Sequence, residues 1–170
     1  MIPGGKGGAN TQTGLQFEAR SDLVPTLLKV PGFTQNGHDI LKNGEVVARN
    51  CKKNLLYVFL KENKVDYTTV LSKKLLPDEA IYVPAQKKLF IVELKFQRVA
   101  GSVDEKLQTC DFKKRQYQRL MEKMGVEVEY IYVLNDWFLK KEYRDVLNYI
   151  QSVGCRHYFN VLPLEELGLI

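Results

Sequence analysis

The clearest alternation of hydrophobic and polar positions lies between residues 78 and 97. Residues 78–83 and 88–97 each predict a strand, and residues 84–87, which begin with a proline, predict the turn that joins them. Successive side chains of a strand point to opposite sides. The apolar face of the second strand consists of Phe90, Val92, Leu94 and Phe96. We expect this face to be buried in the core.

Three polar residues share the opposite face of that strand, namely Glu93, Lys95 and Gln97. A carboxylate, an ammonium and an amide in a row are unusual in the middle of a sheet, because burying unpaired charge costs several kcal/mol. Their alignment therefore predicts a cleft at this point of the chain.

The remaining pattern predicts a mixed β-sheet with helices on its faces. The predicted helices are residues 14–29, 54–64, 103–123 and 139–151, the further strands are 46–48, 68–72, 126–134 and 158–162, and residues 164–167 form a helical turn. Residues 1–13 are expected to be a flexible loop, and most of residues 32–50 a loop as well. Antiparallel strands followed by a crossover helix and another strand favour one α/β domain over residues 1–170.

The predicted hairpin also sets which residues face each other. If Val83 pairs with Lys88 across the turn, Asp78 falls opposite Glu93, with Cβ atoms about 5 Å apart. Two carboxylates at that distance repel each other unless a cation lies between them, and Mg²⁺ prefers such oxygens. A bound metal supplies hydroxide for phosphodiester hydrolysis, and Lys95 beside it would orient the water or neutralise charge. A register shifted by one residue would put Glu79 in the place of Asp78.

Pro77-Asp78, followed after fourteen residues by Glu93-Leu94-Lys95, resembles the motif of the PD-(D/E)XK nuclease superfamily. The order of predicted elements from residue 14 to residue 134 is similar to the core of that superfamily. The resemblance implies a restriction-endonuclease-like fold and Mg²⁺-dependent cleavage of DNA, with Mn²⁺ as a substitute. It assigns metal binding to Asp78 and Glu93, with Lys95 as the catalytic lysine.

Two further segments look like type II restriction endonucleases, residues 7–11 (GGANT) and residues 101–106 (GSVDEK). This likeness implies cleavage of double-stranded DNA at a short palindromic site by a homodimer. It also implies that Glu18, expected on the first helix, is an additional catalytic and metal-binding carboxylate. The spacing of Gln97, two residues beyond Lys95, departs from the recombination exonucleases of the superfamily.

Charge distribution points to a polyanionic partner near this motif. The chain carries a net charge of +5, and residues 86–123 hold ten Lys or Arg against five Asp or Glu. Lysine and arginine side chains beside a nuclease cleft would contact phosphates. The candidate DNA-binding residues are Asn10 in the N-terminal loop, Gln97, and Lys106, Lys113, Lys114 and Arg115 on the helix that follows. The competing interpretation is a solvated helix face and a tail without a role in binding.

Other patterns narrow the class of protein. No apolar run reaches the length of about 20 residues that crosses a bilayer, and residues 1–10 lack the apolar stretch of a signal peptide, so we expect a cytoplasmic protein without a membrane partner. Cys51, Cys110 and Cys155 are scattered and predict reduced thiols instead of a zinc site. His38 and His157 match no recognised hydrolase triad.

Three alternatives to a restriction enzyme stay open at this point. A Holliday-junction resolvase or repair nuclease of the same superfamily would share the catalytic residues and differ in substrate shape. A non-catalytic DNA-binding module would carry a decayed site. A structural protein would use the same charges as an ion network and would bind no magnesium.

Overall fold

A computed structural model describes residues 16–18, as backbone, and residues 22–170. The chain forms a mixed α/β structure around a seven-stranded sheet, in which neighbouring strands follow each other in chain order. The strands are β2 (Phe33–Asn36), β3 (Asp39–Lys42), β4 (Glu45–Asn50), β5 (Glu79–Val83), β6 (Lys88–Lys95), β7 (Glu127–Leu134) and β8 (Arg156–Phe159). A separate antiparallel pair consists of β1 (Gln16–Glu18) and β9 (Val161–Pro163).

Within the described residues, five α-helices accompany the strands: α1 (Leu23–Leu27), α2 (Leu55–Glu62), α3 (Val103–Leu107), α4 (Cys110–Met121) and α5 (Arg144–Ser152). Short 3-10 turns occupy Tyr67–Thr69, Pro84–Gln86, Glu122–Met124, Asp136–Leu139, Lys141–Tyr143 and Leu164–Leu167. None of the helices in the part of the chain that the structure describes is long and apolar enough to cross a membrane.

The large sheet separates two hydrophobic cores. On one face, α2, α4 and α5 bury Leu56, Leu60, Tyr117, Leu120 and Ile150, together with Leu89 and Ile91 of β6. On the other face, α1 and the C-terminal segment bury Leu23, Leu27, Leu162 and Leu164 against Phe90 and Val92. Because β6 is covered on both sides, its run of apolar residues is explained by burial, as in other central strands.

The register of the hairpin between β5 and β6 is the one that the sequence predicts. Val83 lies opposite Lys88 and Glu79 lies opposite Val92. Lys87 closes the turn in the left-handed conformation, with φ of 51°. The ladder stops at Glu79, so Asp78 lies one residue before the strand. The predicted strand over residues 78–83 therefore begins one residue too early.

The strand directions define an edge of the sheet where a site can form. β6 is antiparallel to β5 but parallel to β7, with α3 and α4 in the connection between them. The carboxyl ends of β6 and β7 therefore meet at the same edge, where Lys95 lies opposite Leu134. Ligands of open α/β sheets bind outside the carboxyl ends of such strands.

The predicted helix over residues 14–29 is wrong. Gln16–Glu18 is a strand, and helix begins only at Leu23. Pro25 supplies the physical reason, because proline has no N–H and its ring clashes with the carbonyl four residues earlier. It fits the first turn of α1 but prevents a helix from continuing through it. Glu18 consequently lies on β1, paired with Val161, and not on a helix.

The expectation of a loop over most of residues 32–50 is also wrong, since β2, β3 and β4 form a meander there. Asn43 and Gly44 both have positive φ, of 53° and 88°, as the tight turn between β3 and β4 requires. The predicted strand at residues 68–72 is absent from this described segment, where Tyr67–Thr69 forms a 3-10 turn. Asp66 begins that turn by accepting a hydrogen bond from the Thr68 backbone N–H at 2.9 Å.

The predicted helix over residues 103–123 is two helices, α3 and α4, with a break at residues 108–109. The break contains neither glycine nor proline. The Thr109 hydroxyl donates to the Lys106 carbonyl at 2.7 Å, and the Tyr132 hydroxyl donates to the same carbonyl at 3.2 Å. Side-chain donors therefore satisfy the end of α3.

Towards the C-terminus two boundaries also differ from the prediction. The helix predicted from residue 139 begins as α5 at Arg144, after two 3-10 turns. The strand predicted over residues 158–162 is divided between β8 and β9 at Asn160, whose φ is 62°. A residue in this left-handed conformation interrupts an extended strand.

Candidate active site

Asp78, Glu93 and Lys95 meet at the carboxyl end of β6. The Lys95 Nζ atom lies 2.9 Å from Glu93 Oε2 and 3.4 Å from Asp78 Oδ2. The hairpin register explains this arrangement. Glu79 pairs with Val92, so Asp78, directly before Glu79, lies opposite Glu93, directly after Val92. The Lys95 ammonium thus lies between the Glu93 carboxylate of β6 and the Asp78 carboxylate directly before β5.

Asp78 is held in place by the end of the ladder. Its Oδ2 atom accepts a hydrogen bond from the Leu94 backbone N–H at 3.1 Å. The preceding carbonyl, of Pro77, accepts from the Lys53 backbone N–H at 3.0 Å. The Asp78 side chain remains 42% exposed, so it is the member of the group that solvent reaches most readily.

Glu93 is the buried member of the group, with only 5% of its side chain exposed. Its Oε2 atom has a second ammonium nearby, since Lys113 Nζ of α4 lies 3.8 Å away. Burial, and in second place the negative charge of Glu93, raises the pKa of Tyr117 and of Tyr130. Two lysines and two tyrosines thus lie within the electrostatic range of this carboxylate.

Lys95 stays charged although it is mostly buried. Burial alone would lower its pKa, but the neighbouring carboxylates of Glu93 and Asp78 outweigh this effect and raise the pKa above its ordinary value. At neutral pH the side chain is an ammonium that donates hydrogen bonds. It can stabilise negative charge or orient a water molecule, but it cannot accept a proton.

Gln97 lies beyond Lys95 and is 6% exposed. Leu94 and Phe96 both pack on the second core, so the alternation of β6 continues and Gln97 falls on the face of Glu93 and Lys95. Neither its Oε1 nor its Nε2 atom has a hydrogen-bond partner among the residues that the structure describes. A buried amide without partners costs about 1–3 kcal/mol, which makes it a candidate for contact with a ligand.

Asn135 fixes the backbone of Gln97 and was missed by the sequence analysis. Its Oδ1 atom accepts from the Gln97 backbone N–H at 3.1 Å, and its Nδ2 atom donates to the Gln97 carbonyl at 2.8 Å. The only signal in the sequence is a polar residue directly after the apolar strand β7. This reciprocal pair prolongs the contact between β6 and β7 past the end of both strands.

Four basic residues of the region around α3 and α4 are predicted to bind DNA, and their side chains have different neighbours. Lys113 reaches Glu93, whereas Lys114 Nζ donates to the Gly154 carbonyl at 2.7 Å. Arg115 pairs with Asp111 at 3.0 Å, and Lys106 is exposed on α3. They do not form one continuous strip, so Lys113 alone among these four belongs to the candidate site.

The remaining predicted residues have different outcomes. Asn10 lies outside the described residues, and of Glu18 the structure describes only the backbone, so the side-chain roles predicted for both stay predictions. Glu79 points to the other face of the sheet, where its Oε1 atom is 4.0 Å from Lys52 Nζ. Burial, and more weakly the carboxylate of Asp22, raises the pKa of Glu79 to about 7. It therefore does not replace Asp78.

The donor atoms present suit a hard cation with few protein ligands. Asp78 and Glu93 offer carboxylate oxygens that already share one positive group, Lys95. Within the described residues, no three or more His, Cys, Asp or Glu side chains come together as a metal cluster. Mg²⁺ fits such a pair, because it commonly keeps several waters and takes only one or two carboxylates from the protein.

Comparisons with protein-family models, with curated proteins and with solved structures returned no match. The likeness to PD-(D/E)XK nucleases consequently rests on the residues of the motif and on the order of the elements. The geometry of Asp78, Glu93 and Lys95 is the physical basis for a functional proposal.

Proposed function

We propose that this protein is a metal-dependent endonuclease that hydrolyses phosphodiester bonds in double-stranded DNA. The observation that carries the proposal is the convergence of Asp78, Glu93 and Lys95 at the carboxyl end of β6. Phosphodiester hydrolysis needs oxygen ligands for a cation and a fixed positive group near the phosphate. These three residues supply both.

In this proposal Asp78 and Glu93 hold Mg²⁺, and Glu18 is a further candidate ligand. When bound, the metal lowers the pKa of a coordinated water and polarises the phosphate. Lys95 donates hydrogen bonds to the attacking water or to the phosphate oxygens. Glu93 is the carboxylate shielded from solvent, and Asp78 is the more exposed of the two.

The more specific form of the proposal is a type II restriction endonuclease that acts as a homodimer on a short palindromic site. Support comes from the segments at residues 7–11 and 101–106 and from the PD and ExK residues. A two-fold symmetric protein matches a palindromic duplex. A restriction-endonuclease-like fold is part of the same proposal, and the mixed sheet with helices on both faces is compatible with it.

Cleavage of plasmid and phage DNA of mixed sequence tests the proposal directly. The protein is incubated with each DNA in the presence of Mg²⁺, Mn²⁺ or EDTA, next to Lys95→Met, Glu93→Gln and the control Lys87→Met, whose lysine is exposed at the opposite end of β6. Discrete fragments that require the metal, persist in the control and disappear in the two site variants are expected.

The other outcomes separate the alternatives. Metal-dependent cleavage to a smear of fragments would support the nuclease proposal and overturn the proposal of a restriction enzyme. Cleavage of four-way junctions without cleavage of plain duplex would identify a resolvase. Intact DNA of every shape, together with no binding of Ca²⁺ or Mg²⁺ in calorimetry, would overturn the enzyme proposal in favour of a structural ion network.

A further inference from the structure

The charged group at the end of β6 contains a second lysine that the motif does not include. Lys113 Nζ lies 3.8 Å from Glu93 Oε2, the same oxygen that Lys95 approaches to 2.9 Å. The Lys113 side chain is 29% exposed, whereas that of Arg115, two residues later, is 77% exposed. Lys113 is thus directed towards the sheet and not towards the open helix surface.

The helix itself fixes this direction. Residues 110, 113, 117 and 120 recur at helical spacing, and Cys110, Tyr117 and Leu120 are buried in the first core. Because α4 leads from β6 to the parallel strand β7, it runs back along the sheet and begins near the carboxyl end of β6. Lys113 therefore lies in the first turn of α4, above Glu93.

The ammonium of Lys113 donates no hydrogen bond to Glu93. At 3.8 Å the two atoms form an ion pair but not a hydrogen bond. Among the residues that the structure describes, no acceptor takes a hydrogen bond from Lys113 Nζ. An ammonium has three donors, so this group can bind an anion without giving up a hydrogen bond in the free protein.

A count of charges shows why such an anion would be attracted. Two carboxylates, Asp78 and Glu93, face two ammoniums, Lys95 and Lys113, so the formal charges of this group cancel. A divalent cation held by the carboxylates would leave the group with two positive charges in excess. A phosphodiester, which is negative and gains charge in the transition state, matches this excess.

We propose that Lys113 is a catalytic lysine of the same site, whose ammonium contacts the scissile phosphate of DNA beside Lys95. The inference rests on the proposed nuclease function. It goes beyond the sequence-based expectation, in which Lys113 is one of several basic residues of the helix that contact DNA phosphates beside the cleft. A backbone contact would contribute to DNA affinity, whereas the proposed contact contributes to the rate of the bound complex.

The test compares Lys113→Met with Lys114→Met, which removes the neighbouring ammonium of the same helix. Single-turnover cleavage is measured at saturating DNA with Mg²⁺, and DNA affinity is measured in Ca²⁺. For Lys113→Met we expect a rate about 100-fold lower, as for the loss of one donor to the transition state. DNA affinity should change by less than about fivefold, and Lys113→Arg, which retains the charge, should recover part of the rate. Lys114→Met is the comparison for a candidate contact with the DNA backbone and should lose DNA affinity at most. Lys87→Met, which removes an exposed ammonium at the opposite end of β6, is the control that should cleave like the wild type.

Metal affinity provides a readout that needs no cleavage. Loss of the positive charge next to Glu93 should tighten Ca²⁺ binding about threefold or more in Lys113→Met, and leave it unchanged in Lys114→Met. Thermal unfolding of each variant controls for folding, and Lys113→Gln replaces the methionine variant if that variant does not fold.

Two results overturn the inference while the nuclease proposal stands. One is a wild-type rate in Lys113→Met at saturating DNA, and the other is equal effects of the Lys113 and Lys114 substitutions on DNA affinity alone. If the wild-type protein neither cleaves DNA nor binds a divalent cation, the proposed function itself fails, and the inference fails with it.

Discussion

The carboxylate of Asp78 accepts a hydrogen bond from the backbone N–H of Leu94 at 3.1 Å, just beyond Glu79 and Val92, the last pair of the β5–β6 ladder. The same oxygen atom lies 3.4 Å from Lys95 Nζ. One side-chain oxygen therefore both ends the hairpin ladder and belongs to the charged group. Asp78 has a structural role and a candidate chemical role, and variants can separate them.

Asparagine at this position keeps an acceptor for Leu94 but removes the charge. We expect Asp78→Asn to unfold within about 1 kcal/mol of the wild type, and Asp78→Ala to be destabilised by about 1–2 kcal/mol, because the Leu94 N–H loses its partner. Both variants should lose Mg²⁺-dependent cleavage and bind Ca²⁺ more weakly. Urea unfolding and calorimetry measure the two effects. Equal destabilisation by both substitutions would show that charge, and not the hydrogen bond, accounts for the structural role.

Removal of the Lys95 ammonium leaves Glu93 buried, and in the described part of the chain the more distant Lys113 is then its only counter-charge. Breaking a buried ion pair from one side costs about 3 kcal/mol or more, and we expect Lys95→Met to be destabilised by about that amount. Glu93→Gln in the same chain removes the uncompensated charge, so the double variant should recover most of the loss. Chemical denaturation of the wild type, both single variants and the double variant gives the coupling energy. Additive losses would mean that the two groups do not interact.

The part of the site that the sequence predicts is the part set by local rules. Strand alternation and a four-residue turn are sufficient to place Asp78 opposite Glu93, because each depends on neighbours in the chain. The buried hairpin tolerates no slip, since a shift of one residue would move Phe90 and Val92 out of the second core. The register of β5 and β6 is therefore fixed by the same residues that make it visible in the sequence.

The parts that the sequence does not predict depend on contacts between distant segments. Lys113 and Lys114 are adjacent and chemically identical, and only the packing of α4 on the sheet directs one to Glu93 and the other to Gly154. The break between α3 and α4 depends in part on Tyr132, which lies on a later strand. Pro25, in contrast, is a local signal against the predicted first helix. The leucines around it have helical spacing, and this pattern favours the wrong prediction.

Gln97 is expected to reduce the stability of the free protein. Its buried amide has no hydrogen-bond partner among the described residues, so Gln97→Met should raise the free energy of unfolding by about 1–2 kcal/mol. If the amide contacts substrate, cleavage by the same variant should fall, so stability and activity would change in opposite directions. Thermal unfolding and a cleavage assay give both values. Gln108→Met, on the exposed surface after α3, is the control that should alter neither.

A lower free energy of unfolding in Gln97→Met would contradict this prediction, because it would show that the amide makes stabilising hydrogen bonds in the free protein. Unchanged cleavage in a stabilised variant would instead remove Gln97 from the candidate DNA contacts. The two hydrogen bonds from the Asn135 side chain are expected to remain in either case, since they involve only main-chain atoms of Gln97.

His157 on β8 is expected to make the protein sensitive to mild acid. Burial lowers the pKa of this half-buried imidazole, and its Nδ1 atom has no hydrogen-bond partner among the described residues. The unfolded chain takes up a proton at about pH 6.5, whereas the folded protein does so only at lower pH. The contribution of His157 to stability is therefore complete above about pH 6.5 and is lost as the pH falls through the folded pKa.

Denaturant unfolding between pH 7.5 and pH 5 tests this linkage, with His157→Gln compared with the wild type. A glutamine does not titrate, so the loss of stability on acidification should be smaller in His157→Gln than in the wild type, whatever the offset between the two at pH 7.5. Parallel curves for His157→Gln and the wild type would show that the imidazole titrates alike in the folded and unfolded chain, and acid sensitivity would then have to arise from the carboxylates that pair with lysines in the folded state.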